Sequence, residues 1–155
     1  MYIISACLLG ENVKYSGGNN YSEAVCQFLK DKSFMAVCPE TEGGLPVPRT
    51  PSERVGEKVL NKTGRDVTAS FEEGARRCLE KILEETDPGE IEGAILKARS
   101  PSCGSGEIYD GSFSGITVRG DGVFTKLLRS KGIPVYTELD LVKDKSADKF
   151  ILNNK

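Results

Sequence analysis

Short apolar runs alternate with helix-spaced apolar positions along most of the chain. Tyr2-Ile3-Ile4-Ser5-Ala6-Cys7 is a near-continuous apolar run that ends at the turn residues Leu9-Gly10, which predicts a strand buried on both faces. Tyr21, Ala24, Val25, Phe28 and Leu29 recur at the spacing of one helix face. Phe34-Met35-Ala36-Val37-Cys38 predicts a second buried strand, stopped by Pro39. The stretch from Pro39 to Pro51 holds four of the seven prolines and reads as a long irregular loop. A second helix follows Arg65-Asp66-Val67-Thr68, with Phe71, Ala75, Cys78, Leu79 and Ile82 on its apolar face. Gly93 to Lys97 is a third strand. Gly111 to Arg119 reads as irregular, with a short strand at Gly115 to Val118. Val123, Phe124, Leu127 and Leu128 predict a third helix, capped by Gly132, and Ile133 to Thr137 a last strand. The lysine- and aspartate-rich tail from Val142, with Phe150-Ile151-Leu152 as its apolar cluster, reads as helical or frayed.

This order predicts an α/β fold: a single three-layer domain with a small, mainly parallel sheet flanked by helices, Rossmann-like. The 155 residues suit one such domain. No stretch approaches the roughly 20 apolar residues of a membrane span, and no targeting signal is recognisable, so the expected location is cytoplasmic.

Composition narrows the chemistry. The net charge of −2 argues against a duplex nucleic-acid partner. There is no histidine, which removes Ser-His and Cys-His catalysis and every imidazole metal site. There is no tryptophan, and aromatics are few, so a stacking platform for single-stranded nucleic acid is not expected. Carboxylates, hydroxyls, lysine, arginine and five cysteines remain.

Parallel sheets carry their sites at the carboxyl ends of strands. Cys7 and Cys38 end the first two strands, and Cys103 lies in the loop after the third. If those strands are neighbours, the three thiols converge. They form either a shared metal or cluster site or three unrelated strand cysteines. Three thiolates without histidine favour an iron–sulfur cluster over zinc, which wants four protein ligands in a structural site. Cys78 lies on an apolar helix stripe and reads as a buried hydrophobe, while Cys26 sits off its stripe and reads as a bystander. Glu42, four residues past Cys38, is a general acid/base candidate or a solvated loop residue. Glu40, on the same loop, is the next candidate. Gly43 and Gly44 allow backbone to approach a ligand. Ser100 and Ser102 flank Pro101 beside Cys103, either as turn residues or as hydroxyls that bond substrate. Lys97 and Arg99 either complement a cluster or substrate charge or serve as surface residues.

Several motifs in order carry a resemblance. They are Ile4-Ser5-Ala6-Cys7-Leu8-Leu9-Gly10, Tyr15 with Gly17, Val37-Cys38-Pro39-Glu40 through Glu42-Gly43-Gly44-Leu45, Pro48-Arg49, Gly64 with Asp66-Val67-Thr68, Leu96-Lys97, Ser100-Pro101-Ser102-Cys103-Gly104 and Tyr109-Asp110-Gly111. Together they resemble the DUF523 family, which includes the thiouracil desulfurases. The resemblance spans residues 2–139 and leaves 140–155 as a charged C-terminal tail. It implies a 4Fe–4S cluster on Cys7, Cys38 and Cys103, and non-redox removal of sulfur from a thiolated pyrimidine such as 2-thiouracil to give the oxo base. It also implies a catalytic Glu42 and a catalytic serine, Ser102 or else Ser100, with Gly43, Gly44 and Lys97 toward substrate. The expected partner is a small thiolated nucleobase, and the expected state is a monomer or homodimer. Ser16 departs from the acidic or amide residue usual in the family. The competing readings are a noncatalytic nucleobase-binding or iron/redox-sensing module, and a thiol oxidoreductase.

Overall fold

Ile3, Ile4, Ala94, Ile95 and Leu96 have no solvent exposure, because the strands that carry them are covered on both faces. The computed structural model describes residues 1–153. In chain order its elements are β1 (Tyr2–Ser5), α1 (Glu23–Phe28), β2 (Phe34–Val37), α2 (Pro39–Glu42), β3 (Ser52–Val55), β4 (Lys58–Asn61) and α3 (Thr68–Glu85). They continue with β5 (Gly93–Leu96), β6 (Glu107–Tyr109), β7 (Thr117–Arg119), α4 (Val123–Ser130), β8 (Val135–Thr137), β9 (Leu141–Asp144) and β10 (Lys149–Leu152). The central sheet has strand order β2-β1-β5-β8, and every pairing in it is parallel.

Alternation along the strands sorts side chains between two faces. Ile3, Ala94 and Leu96 pack with Ala75, Cys78, Leu79 and Ile82 of α3 and Phe124 and Leu128 of α4. Ile4 and Ile95 pack with Leu8, Val25 and Phe28 on the opposite face. Two layers of helix thus enclose one sheet, as the sequence pattern predicts.

Three differences from that pattern have physical causes. Pro39–Glu42 is one helical turn rather than irregular loop. Proline is tolerated at the first helical position, where the missing N–H has no intrahelical partner anyway. Two antiparallel hairpins, β3–β4 and β6–β7, occupy segments whose charge hides strand periodicity, and of their four strands only β7 overlaps an expected one, the short strand at Gly115 to Val118. The tail is also a hairpin, β9–β10, with Phe150 and Leu152 packed toward α1. Asp144 makes its turn by accepting from the backbone N–H and hydroxyl of Ser146. The last two residues of the 140–155 tail lie outside the described residues.

Candidate functional site

Strand register sets the site. β1 ends at Ser5 opposite Val37, and β5 ends at Leu96 opposite Thr137. The residues just past the carboxyl ends of β1, β2 and β5 therefore emerge at one edge. Cys7 sits in the 3-10 turn Ala6–Leu9 after β1, and Cys38 is the N-cap of α2 after β2. Cys103 lies in the loop beyond β5. All three line one cavity of about 470 Å³. None of the five cysteines is in a disulfide. Cys78 is in the core, as its helix stripe predicts, and neither it nor Cys26 lines the cavity.

The thiols feel one another. Burial pushes the Cys7 thiol above its ordinary pKa, Asn20 partly offsets this by donating to Cys7 Sγ at 3.4 Å, and the charge of Cys38 adds to the rise. Burial raises Cys103 further, with Cys7 and Cys38 contributing in the same direction. Among the described residues, no three His, Cys, Asp or Glu side chains close around a single metal ion. A cubane cluster binds each thiolate on a different iron, so it needs its ligands farther apart than one ion does. Three free thiols on one cavity, with no fourth cysteine and no histidine on its lining, fit that group.

The loop after β5 is fastened at both ends. Ser100 Oγ accepts the backbone N–H of Cys103 at 2.9 Å and of Ser102 at 3.2 Å, which makes it the turn-former. Phe124 N–H donates to Ser102 O at 2.8 Å, and the Thr125 hydroxyl donates to Cys103 O at 2.8 Å, so the loop is anchored on α4. A Cβ at Gly122 would lie 2.4 Å from the Ser102 carbonyl carbon, so this close approach requires glycine.

Ser102 is 2% exposed and borders the cavity. Its hydroxyl donates to Glu40 Oε2 at 2.7 Å. Glu40 Oε1 accepts Arg49 Nε at 3.1 Å. Arg49 also donates Nη2 to Val13 O at 2.9 Å and Nη1 to Pro46 O at 3.2 Å. A hydroxyl, a carboxylate and a guanidinium thus form one chain, and all three residues line the cavity of the cysteines.

Glu42 is placed elsewhere. It pairs with Lys81 of α3 at 2.7 Å and does not line the cavity. In a helix, residues two apart face different sides, so once Pro39 starts a turn, Glu40 and Glu42 diverge. Gly43 and Gly44 do not line the cavity either. A Cβ on Gly43 would lie 2.0 Å from Ser70 O, and one on Gly74 would lie 1.8 Å from Pro39 O. Gly43 therefore serves the backbone-to-backbone packing of α2 on α3. Gly44, at φ 89°, supplies the left-handed residue that ends α2. Lys97 lines the cavity, with its ammonium paired to Glu138 Oε2 at 3.1 Å. Arg49, Asn20 and Glu53 are cavity residues that hydropathy did not expose. Glu40 is the next candidate on that loop, and reading Pro39 as a helix start is the signal that separates its direction from that of Glu42.

The 2-thiouracil desulfurase family model matches residues 2–140. The uncharacterized protein YbbK of Bacillus subtilis (strain 168) is 40% identical over 147 residues, covering 91% of this chain and 97% of that protein. A solved structure of TudS (DUF523Vcz), a 4Fe–4S-dependent thiouracil desulfidase, is 45% identical. It superposes with a TM-score of 0.80 over 90% of this chain and 91% of its own.

Proposed function

Because the chain belongs to the 2-thiouracil desulfurase family, we propose that it removes sulfur from a thiolated pyrimidine such as 2-thiouracil, using a 4Fe–4S cluster held by Cys7, Cys38 and Cys103. The observation that carries this reading is the Ser102–Glu40–Arg49 chain on the wall of the cavity that holds the three thiols. The net reaction exchanges C=S plus water for C=O plus hydrogen sulfide, with no change of oxidation state.

With three protein thiolates, the bound cluster supplies one iron open to the thiocarbonyl sulfur. The protein supplies the proton path. Water attacking the thiocarbonyl carbon gives up a proton to Ser102 Oγ, which passes its own to Glu40 Oε2 along the 2.7 Å hydrogen bond. As the C–S bond breaks and C=O forms, that proton returns by the same route, and the departing sulfur leaves with both protons of the water as hydrogen sulfide. Arg49 holds Glu40 in place by its Nε and is itself fixed by the carbonyls of Val13 and Pro46. Glu40 is the carboxylate in this reading, and Glu42 with its Lys81 partner lies outside the chemistry. Ser102 is the catalytic hydroxyl, and Ser100 shapes the turn that presents it and Cys103.

No helix among the described residues is long and apolar enough to cross a membrane. The test is anaerobic reconstitution with iron and sulfide, followed by incubation with 2-thiouracil. Uracil and sulfide in equal amounts support the reading. A stable cluster with no turnover refutes it in favour of a binding or sensing module.

A further inference from the structure

Glu53 is a carboxylate that the proposed chemistry leaves unused. It lies on β3 and is 9% exposed, yet it borders the cavity. Its Oε1 accepts two backbone N–H groups, from Gly111 at 2.9 Å and Phe113 at 3.1 Å. Its Oε2 takes no hydrogen bond and no ion pair from any described residue. That oxygen is not sealed away either, because Arg54 Nε is the sole buried side-chain nitrogen or oxygen without a partner among the described residues. One oxygen is thus committed to the protein, while the other, on a side chain that lines the cavity, has no partner and is not fully sealed.

The backbone around it is held in an uncommon shape. Phe113 has φ 56°, a left-handed conformation that bulky residues rarely adopt, with Gly111 at 97° and Gly115 at 80° on either side. A Cβ on Gly111 would come within 2.7 Å of Val55 Cγ2, so the loop sits directly on β3. The two hydrogen bonds to Glu53 Oε1 hold Phe113 beside Glu53 at the cavity wall.

We infer that Glu53 is a specificity-determining residue whose Oε2 accepts a ring N–H of the thiolated base, beside the Phe113 side chain. The inference rests on the desulfurase reading above. An ionised carboxylate only accepts hydrogen bonds, so a largely buried one calls for a donor. A thiolated pyrimidine carries such donors as the N–H groups adjoining its thiocarbonyl. A substrate N–H held by Glu53 orients that thiocarbonyl within the cavity. An analogue methylated on that nitrogen leaves the carboxylate without its donor and adds bulk where the oxygen stands.

The test compares 2-thiouracil with its 1-methyl and 3-methyl derivatives on the reconstituted holoenzyme, wild type and Glu53→Gln. Glutamine keeps an oxygen for Gly111 and Phe113 and turns a donor toward the ligand. In the wild type, one methyl isomer should lose roughly 10- to 100-fold in kcat/KM, mainly through KM. In Glu53→Gln, 2-thiouracil itself should weaken and the methyl discrimination should fall to within about threefold. Amide exchange at Gly111 and Phe113 should stay unchanged, which a purely structural role for Glu53 does not predict. If the glutamine variant does not fold, Glu53→Asp gives the same comparison with the charge retained, and discrimination should again shrink. Calorimetric binding of uracil, 1-methyluracil and 3-methyluracil repeats the comparison without turnover. Absent desulfuration with methyl-selective, Glu53-dependent binding overturns the reaction and keeps the inference. Turnover with equal tolerance of both methyl isomers, or discrimination undiminished in both variants, overturns the inference alone. No binding and no turnover overturns both.

Discussion

Replacing Glu40 by glutamine separates two carboxylates that stand two residues apart. The side chains of Glu40 and Arg49 are 16% and 7% exposed, so the pair is largely dry. Glu40→Gln preserves the volume and leaves an amide oxygen for Arg49 Nε, while Arg49 keeps the carbonyls of Val13 and Pro46. Breaking a buried ion pair outright costs about 3–5 kcal/mol. The retained hydrogen bonds should hold the loss nearer about 1–3 kcal/mol, so the variant should fold and assemble its cluster. Its proton acceptor, however, is gone. Removing a positioned general base slows turnover by roughly 10²–10⁴-fold, or about 3–5 kcal/mol of barrier. Glu42→Gln gives up an ion pair whose members are 27% and 59% exposed, worth about 0–1 kcal/mol of stability, and should leave turnover unchanged. The assay is steady-state loss of thiocarbonyl absorbance from 2-thiouracil under anaerobic conditions, with variants matched for iron and sulfide content. Normal turnover in Glu40→Gln, or a collapse in Glu42→Gln, refutes the assignment.

Cys7→Ser, Cys38→Ser and Cys103→Ser should each prevent stable cluster assembly, read as lost iron content and visible absorbance, whereas Cys26→Ser should leave both intact. Gly74→Ala places a Cβ against Pro39 O and should cost about 1–3 kcal/mol through overpacking. It should also lower turnover, since α2 carries Glu40, and denaturant unfolding with activity at matched iron content checks both. The buried Cys78 thiol is pushed up to about 12 by burial first and then by Glu42 and Cys38. Its unfolded value is near 8.5, so the folded state keeps a proton that the unfolded chain gives up. Stability should be fully present below about pH 8.5 and fall by at most about 1.4 kcal/mol per pH unit toward pH 12. Cys78→Ala should flatten that fall in urea titrations of the iron-free protein, and an unchanged slope contradicts the assignment.

The parallel core was legible because its central strands β1 and β5 are buried and appear as the unbroken apolar runs Tyr2-Ile3-Ile4 and Ala94-Ile95-Leu96, whereas the edge strand β2, equally apolar in sequence, leaves Phe34 exposed. Their carboxyl ends then placed three cysteines together without any tertiary information. The structure turns Glu42 away from the cavity because linear distance from Cys38 says nothing about direction, and the two residues from Glu40 to Glu42 span little more than half a turn of α2. The β3–β4 hairpin was hidden by Ser52-Glu53-Arg54, where the inward residue is a carboxylate rather than an apolar side chain. Hydropathy has no term for an acid turned inward. The tail hairpin escaped for a related reason: alternate positions of β10 are exposed, and its partner β9 holds Lys143 and Asp144.

The three thiols ride on β1, β2 and β5, which are adjacent in the sheet and far apart along the chain. Their meeting is therefore a late event in folding, completed only once those parallel strands have paired. The sheet packs mainly through Ile3 and Leu96 against α3 and Ile4 and Ile95 against α1, with Cys103 buried in the first cluster and Cys7 packed against the second. Loss of the proposed cluster should still leave a folded chain rather than a coil, because apolar contacts make up most of that packing. That is the opposite of small zinc domains, where losing the metal means unfolding. Reloading such a chain would then call for iron and sulfide at the one cavity its three cysteines line, without refolding.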